Sequence, residues 1–368
     1  MAGFPFMKQA EAFRSSLPFI LLLAVFILPC PMSAAAKPRP AIAFVHLLLP
    51  PGGEPHASPA GWIGSLDRAR DTLESLRIPT IVSSASPRNA EDLNELSEMD
   101  PEVLITTSPL LYAAACDVAK RSPNTVFFAC TDETVHDNMS GFQARTYEAH
   151  YLAGLIAGAL SEDGVIGYLA NDPYQSKASR LRNANAFTLG AQKSKAAIRV
   201  LYAPGNDPDE ELKTLIAAGA DIVDLERALP SLVERLREHS VRYVGTAGRT
   251  VDPLCLAAPE WEWSNAFGDL LTQVRFGIWR PRNVSYGIKE GVVGLSPFGP
   301  AVPETVRVRV REAKEAIRNG ASPFEGPVRD VSGSLRIAEG SVPEDATLRG
   351  MDWRVQGLEP LPLTPDGL

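Results

Sequence analysis

Residues 147–169 read YEAHYLAGLIAGALSEDGVIGYL. Through residue 160 the apolar side chains fall at helical spacing, and Gly154 and Gly158 stand about one helical turn apart. The helix is too short to pair inside a membrane, so its glycines imply close packing of a helix on a sheet. Residues 165–169 then form an apolar run of strand length. A helix followed at once by a continuously apolar strand is one unit of an α/β alternation, whose strands are covered on both faces of a parallel sheet.

The same alternation extends outward from this unit. Upstream, strand candidates at 41–49, 80–83, 103–106 and 125–129 alternate with helical patterns at 66–76, 90–96 and 110–120. Downstream, helices at 179–194, 209–218 and 229–239 alternate with strands at 199–202, 222–225 and 241–245, and Gly219 suits the position just past a helix end. Beyond 250 the rhythm changes. Residues 261–279 read as a helix, Gly287, Gly291 and Gly294 punctuate a strand-like stretch, and 305–318 is amphipathic up to Asn319-Gly320. Residues 328–337 read as a hairpin around Ser332-Gly333, and the Pro-rich tail 358–368 as an end that frays or drapes.

The N-terminus has its own character. Lys8 and Arg14 precede an apolar run at 17–28, followed by Pro29-Cys30-Pro31 and the small residues Ser33-Ala34-Ala35-Ala36. Positive charge, a short apolar segment and an A-x-A site make a secretory signal peptide, cleaved near Ala36. An uncleaved anchor is the alternative, and Pro29 before Cys30 argues against lipid attachment there. The chain is expected to be periplasmic or otherwise exported. Its net charge of -8 becomes about -9 once Lys8, Glu11 and Arg14 leave, which argues against an electrostatic nucleic-acid binder, since that would need a basic face. The remaining Cys116, Cys130 and Cys255 are odd in number and have no C-x-x-C spacing, so neither a zinc site nor a disulfide framework is implied, and one disulfide stays open.

The roughly 330 residues after the signal exceed one typical core. The expected fold is α/β, two Rossmann-like lobes with parallel sheets and a ligand cleft between them, which the resemblance carried by the segments below implies to be of the type I periplasmic-binding-protein class. The expected division is 41–145 with about 252–290 in the first lobe, 146–251 with about 291–322 in the second, and 323–368 as C-terminal hairpin and tail. Ligands in such sheets bind at the C-terminal ends of the strands. Catalysis has no support in sequence: His46, His56, His136, His150 and His239 make no H-E-x-x-H, and G-x-S-x-G, a Walker loop and G-x-G-x-x-G are all missing. No cofactor is implied.

Several segments in order resemble the basic membrane protein (BMP) family of ABC transporter solute-binding proteins. They are Tyr147–Gly154 with Ala157-Gly158, Gly164–Tyr168, Asn183–Ala191, Ala218–Val223 and Gly287–Pro297. Phe324–Asp330 through Met351-Asp352-Trp353 resembles a branch carrying a C-terminal hairpin. The resemblance implies a small-molecule ligand, a purine nucleoside or purine, and an ABC permease in the inner membrane as partner. A binding protein feeding a signalling receptor and a divergent paralogue with an altered ligand remain alternatives, which the sequence does not separate.

The resemblance also directs attention to particular residues. Trp62, in Gly61-Trp62-Ile63-Gly64, matches a family aromatic that stacks on the base, the alternative being a Trp packed on its own lobe. Lys289 matches a family lysine that reaches the sugar. Thr131 and Asp132 follow a strand end, where they line a cleft or cap a turn. Tyr174 and Asn185 are further candidates. The chain departs from the family pattern at Thr246–Asp252, where Arg249 brings a planar cation, and Glu226-Arg227 takes another cleft-facing place. These departures suggest a ligand other than a plain purine nucleoside, one able to carry negative charge.

Overall fold

The computed structural model describes residues 40–47, 61–85, 91–131, 133, 136–173, 175–245 and 252–362. The signal segment, Asp132, Tyr174 and Arg249 lie outside them. The chain begins with β1 (Ile42–Leu47), α1 (Trp62–Ser75), β2 (Thr80–Ala85), α2 (Glu91–Glu98), β3 (Val103–Thr106), α3 (Tyr112–Ala119), β4 (Val126–Cys130) and β5 (Met139–Ala144). It continues through α4 (Thr146–Leu160), β6 (Val165–Leu169), α5 (Lys177–Ser194), β7 (Arg199–Ala203), α6 (Pro208–Ala217), β8 (Ile222–Leu225), α7 (Pro230–Glu238), β9 (Arg242–Gly245) and β10 (Cys255–Ala257). Then come β11 (Pro259–Trp261), α8 (Ser264–Arg275), β12 (Asn283–Tyr286), β13 (Val293–Leu295) and α9 (Glu304–Arg318). The C-terminal part holds β14 (Val328–Arg329), β15 (Leu335–Ile337), α10 (Asp345–Arg349) and β16 (Leu358–Pro360).

Two six-stranded sheets result, in the orders β12-β5-β4-β3-β1-β2 and β10-β9-β8-β6-β7-β16, with every pairing parallel. The central strands are mostly apolar and fully buried, as β1 (IAFVHL) and β3 (VLIT) show, with His46 and Thr106 as their polar members. Local signals start the helices between them. Ser176 Oγ accepts the Ser179 N–H at 3.1 Å to cap α5. Asp207 caps α6, with Pro208 at its first position and Asp209, Glu210 and Glu211 in the first turn, where acids complement the helix dipole.

The helix–sheet contact expected at Gly154 and Gly158 is a helix–helix contact. α4 lies directly on α5: a Cβ on Gly154 would stand 2.1 Å from the Phe187 carbonyl oxygen, and one on Gly158 would stand 2.2 Å from that of Ala191. Gly190 answers from α5, where a Cβ would meet the Tyr151 oxygen at 2.1 Å. A backbone obstacle cannot rotate away, so these positions admit only hydrogen.

Three crossovers join the sheets: β5 into α4, β10 through β11 into α8, and β12 through β13 into α9. α8 packs on α1 of the first lobe, and α9 on α4 of the second. Two boundaries differ from the sequence reading. β10 pairs with β9, so the return to the first lobe falls after Ala257 rather than at about 252. The tail does not simply drape, because Leu358–Pro360 pairs with β7 as an edge strand, where a proline is tolerated. The expected hairpin forms between β14 and β15. Cys116, Cys130 and Cys255 form no disulfide with one another, and burial pushes the Cys255 thiol up to about 11.

Gly154→Ala is expected to lower stability by at least about 2 kcal/mol, an overpacking cost. The midpoint of urea unfolding measures it, and an unchanged midpoint would contradict the α4–α5 contact.

Candidate functional site

A cavity of about 120 Å³ opens where the C-terminal ends of both sets of strands meet. Trp62, Pro109, Cys130 and Gln143 line it from the first lobe. Asp172, Gln175, Ser176, Ser179, Arg182 and Asn183 line it from the second, and Thr146 and Trp261 from two crossovers. A molecule held here would touch both lobes at once.

One wall is aromatic. The Trp62 indole N–H donates to the Thr107 carbonyl at 2.8 Å. Its ring packs edge-on against Trp263 at 5.3 Å and Trp261 at 5.9 Å, and stacks with Phe142 at 6.4 Å. Trp62 is therefore built into the aromatic core of its own lobe while still lining the cavity. Trp261 is fixed in turn by its N–H to Thr146 Oγ1 at 3.2 Å.

The opposite wall is polar and ordered in series. Asn183 Nδ2 donates to Gln175 Oε1 at 2.8 Å, and Gln175 Nε2 donates to Asp172 Oδ2 at 3.0 Å. The loop after β6 that carries Asp172 is tied to the loop after β8. Asn171 Nδ2 donates to the Arg227 carbonyl at 2.9 Å, and the Arg227 N–H donates to Asn171 Oδ1 at 2.8 Å.

Beneath that loop lies a buried polar core. Tyr168 OH donates to Glu226 Oε1 at 2.9 Å, and His150 Nδ1 stands 3.1 Å from Asp224 Oδ2. Burial raises the Glu226 carboxyl to about 7, against the pull of His150. Burial also works against charge on His150, but the carboxylates of Asp224, Glu226 and Asp172 outweigh it and raise its pKa.

Beside the cavity, Arg145 sits at the first crossover. Its guanidinium binds Glu148 Oε1 at 2.8 Å, the Ser285 carbonyl at 3.0 Å, Asp345 Oδ2 at 3.3 Å and the carboxylate of Glu290. Glu148 Oε2 also accepts the Ile288 N–H at 2.7 Å, tying the third crossover to the same cluster. Gly287 passes so close that a Cβ there would lie 2.5 Å from Glu148 Oε2. Tyr147 OH adds a bond to Asp345 Oδ1 at 3.2 Å, so α10 is fastened at the crossover.

The residues singled out in the sequence do not all meet here. Trp62 lines the cavity. Glu226 stands one layer behind it, under Asp172. Thr131 is buried, and its Oγ1 accepts the Glu133 N–H at 3.1 Å as a turn former. Lys289 is exposed on the turn between β12 and β13, away from the cavity lining. Asn185 faces the C-terminal segment instead: its amide donates to the Trp353 carbonyl at 2.8 Å and accepts the Val355 N–H at 2.9 Å. Asp132, Tyr174 and Arg249 fall outside the described residues. The reading missed Gln143, Asp172, Gln175, Arg182, Asn183 and Trp261. The strand-end rule applied to β6 would have found Asp172, two residues short of Tyr174.

Two parallel α/β lobes joined by three crossovers, with a shared cavity at their strand ends, define a type I periplasmic-binding-protein fold. A solved structure of an ABC transporter solute-binding protein from Conexibacter woesei DSM 14684 shares it, with a TM-score of 0.60 at 17% identity over 76% of this chain and 97% of that one. A purine-binding protein of Brucella abortus (strain 2308) is 27% identical over 346 residues, 89% of this chain and 95% of that protein. A Haloferax volcanii protein named as an ABC transporter glucose-binding protein is 28% identical over 310 residues, 77% of this chain and 78% of that one. The family model Bmp, ABC transporter substrate-binding protein PnrA-like, matches residues 65–217. Over that stretch the chain is similar to the Bmp family of ABC transporter solute-binding proteins.

The buried core makes stability depend on pH. Glu226 holds its proton in the folded state up to about 7, whereas an unfolded glutamate releases it near 4.5. Its contribution is therefore full below about 4.5 and lost as pH rises toward 7, on the order of 3 kcal/mol. His150, with a raised pKa, also contributes below its unfolded value and loses that contribution as pH rises. The melting temperature should fall between pH 5 and 8, and Glu226→Gln should flatten the part below 7. A melting temperature that rises over this range would contradict the assignment.

Proposed function

We propose that the protein is the exported capture component of an ABC importer and holds a purine or purine nucleoside in the cleft between its lobes. The observation that carries this reading is the pairing of an aromatic wall, Trp62 with Trp261, and a facing row of hydrogen-bonding groups, Asp172, Gln175 and Asn183. A flat, heteroatom-rimmed ring system suits that pairing, because stacking stabilises it by about 1–3 kcal/mol per base while the edge is read by the polar row. The purine-binding relative from Brucella abortus supports it. Export is supported by the charged, then apolar, then small-residue start of the chain. Among the described residues no helix is long and apolar enough to cross a membrane.

Ligand bound to both lobes favours the closed arrangement over the open one by its differential affinity, and a permease then reads the closed form. The same cleft chemistry also suits a pyranose, whose apolar face stacks on tryptophan, and the Haloferax volcanii relative favours that second reading.

Calorimetric titration of protein recovered from a periplasmic extract, beginning at Lys37 on this reading, with purine bases, purine nucleosides and glucose separates the two. A purine or its nucleoside should bind one per chain, and Trp62→Ala should weaken it about tenfold or more while Trp62→Phe retains most of the affinity. Binding of glucose alone would overturn the purine reading.

A further inference from the structure

Arg182 is a cation on the wall of the cleft that no part of the expected site accounts for. It stands on the second turn of α5 and is 7% exposed, yet lines the cavity between Ser179 and Asn183. Contacts on several sides help to locate its guanidinium. Nη1 donates to the Leu348 carbonyl at 3.3 Å, Nη2 to Ser179 Oγ at 3.4 Å, and the group lies 5.6 Å from the centre of the Tyr147 ring. Arg182, Gln143 and Ala144 also line a second, small cavity with Asp345 and Leu348, so the guanidinium occupies the partition between the ligand cleft and α10.

The chemistry of that partition is one-sided. A guanidinium has five N–H donors and no acceptor, and it does not lose its proton. It cannot adapt to a ligand edge that also donates. A 6-oxopurine offers O6 and N7 as two adjacent acceptors, which is the edge a guanidinium meets with two parallel hydrogen bonds. A 6-aminopurine puts an NH2 donor where O6 would be, so the same guanidinium faces a donor and only one acceptor. Asp172 works in the same direction, since a carboxylate accepts from the N1–H that a 6-oxopurine carries and that adenine lacks. Discrimination of this kind is steep, because the wrong ligand leaves buried polar groups unpaired.

We infer that Arg182 is a specificity-determining residue that selects 6-oxopurines, as free bases or nucleosides, over 6-aminopurines. The inference rests on the purine reading of the cleft and names the class within it. The Leu348 carbonyl of α10 enters as a support that holds the guanidinium in place, giving the C-terminal segment a part in selectivity.

The test is a set of calorimetric titrations with hypoxanthine, inosine, adenine and adenosine on the wild-type protein and on Arg182→Gln, whose amide both donates and accepts. The wild type should bind the oxo member of each pair at least about tenfold more tightly, or about 1.4 kcal/mol. In Arg182→Gln that ratio should fall toward one, chiefly through weaker oxopurine binding, with the melting temperature reporting that the variant is folded. If Arg182→Gln does not fold, Arg182→Lys, which keeps the charge and loses the two-pronged geometry, should narrow the ratio in the same way. Equal or tighter binding of adenine by the wild type, or a ratio unchanged in a folded variant, would overturn the inference and leave the purine reading standing. Binding of none of the four would overturn the purine reading and the inference with it.

Discussion

The guanidinium of Arg145 holds together the place where the lobes are joined. It stands at the first passage of the chain between sheets and is shared by Glu148 on α4, Glu290 and the Ser285 carbonyl on the third crossover, and Asp345 on α10. Burial opposes its charge, and the surrounding carboxylates outweigh that and keep it protonated. One cation thus meets two of the three crossovers and the C-terminal helix. Without it, Glu148 would be a buried carboxylate without its ionic partner, a costly arrangement. Tyr147 and Arg182, next to it, carry the same junction into the wall of the ligand cleft.

Two other constraints make the second lobe rigid where it lines the cleft. The glycines of α4 and α5 bring those helices to backbone contact along the middle and end of α5, and the Gln175–Asn183 bond ties the loop before α5 to its second turn. The pair of hydrogen bonds between Asn171 and Arg227 locks two strand-end loops to each other, with Glu226 and Tyr168 underneath. The first lobe instead offers a wall of interlocked rings, in which Trp62, Phe142, Trp261 and Trp263 hold one another. A rigid aromatic wall and a rigid polar wall, joined by a charged crossover, suit a protein that grips by bringing two preformed surfaces together.

Much of this frame was legible in the sequence because continuous apolar strands and amphipathic helices repeat at a period that only a parallel sheet satisfies. The edges were less legible. β16 is short and ends in proline, and β10 follows β9 with an irregular register, so neither has a pattern of its own. Asn185 carried a misleading signal: a polar residue in a small-residue helix resembles a cleft residue, but its amide meets the backbone of a segment more than 160 positions later, a pairing no local pattern encodes. Arg182 was hidden for the opposite reason. An arginine in a basic helix start reads as solvated, and only tertiary packing against Tyr147 and α10 turns it toward the cleft.

The central claim is that ligand binds between the lobes and draws them together. Small-angle X-ray scattering of the purified protein, with and without the tightest-binding purine at saturation, tests it directly. Closure on ligand gives a smaller radius of gyration in the bound sample, reached at one ligand per chain. Superimposable scattering curves in a sample shown by calorimetry to be saturated would contradict it.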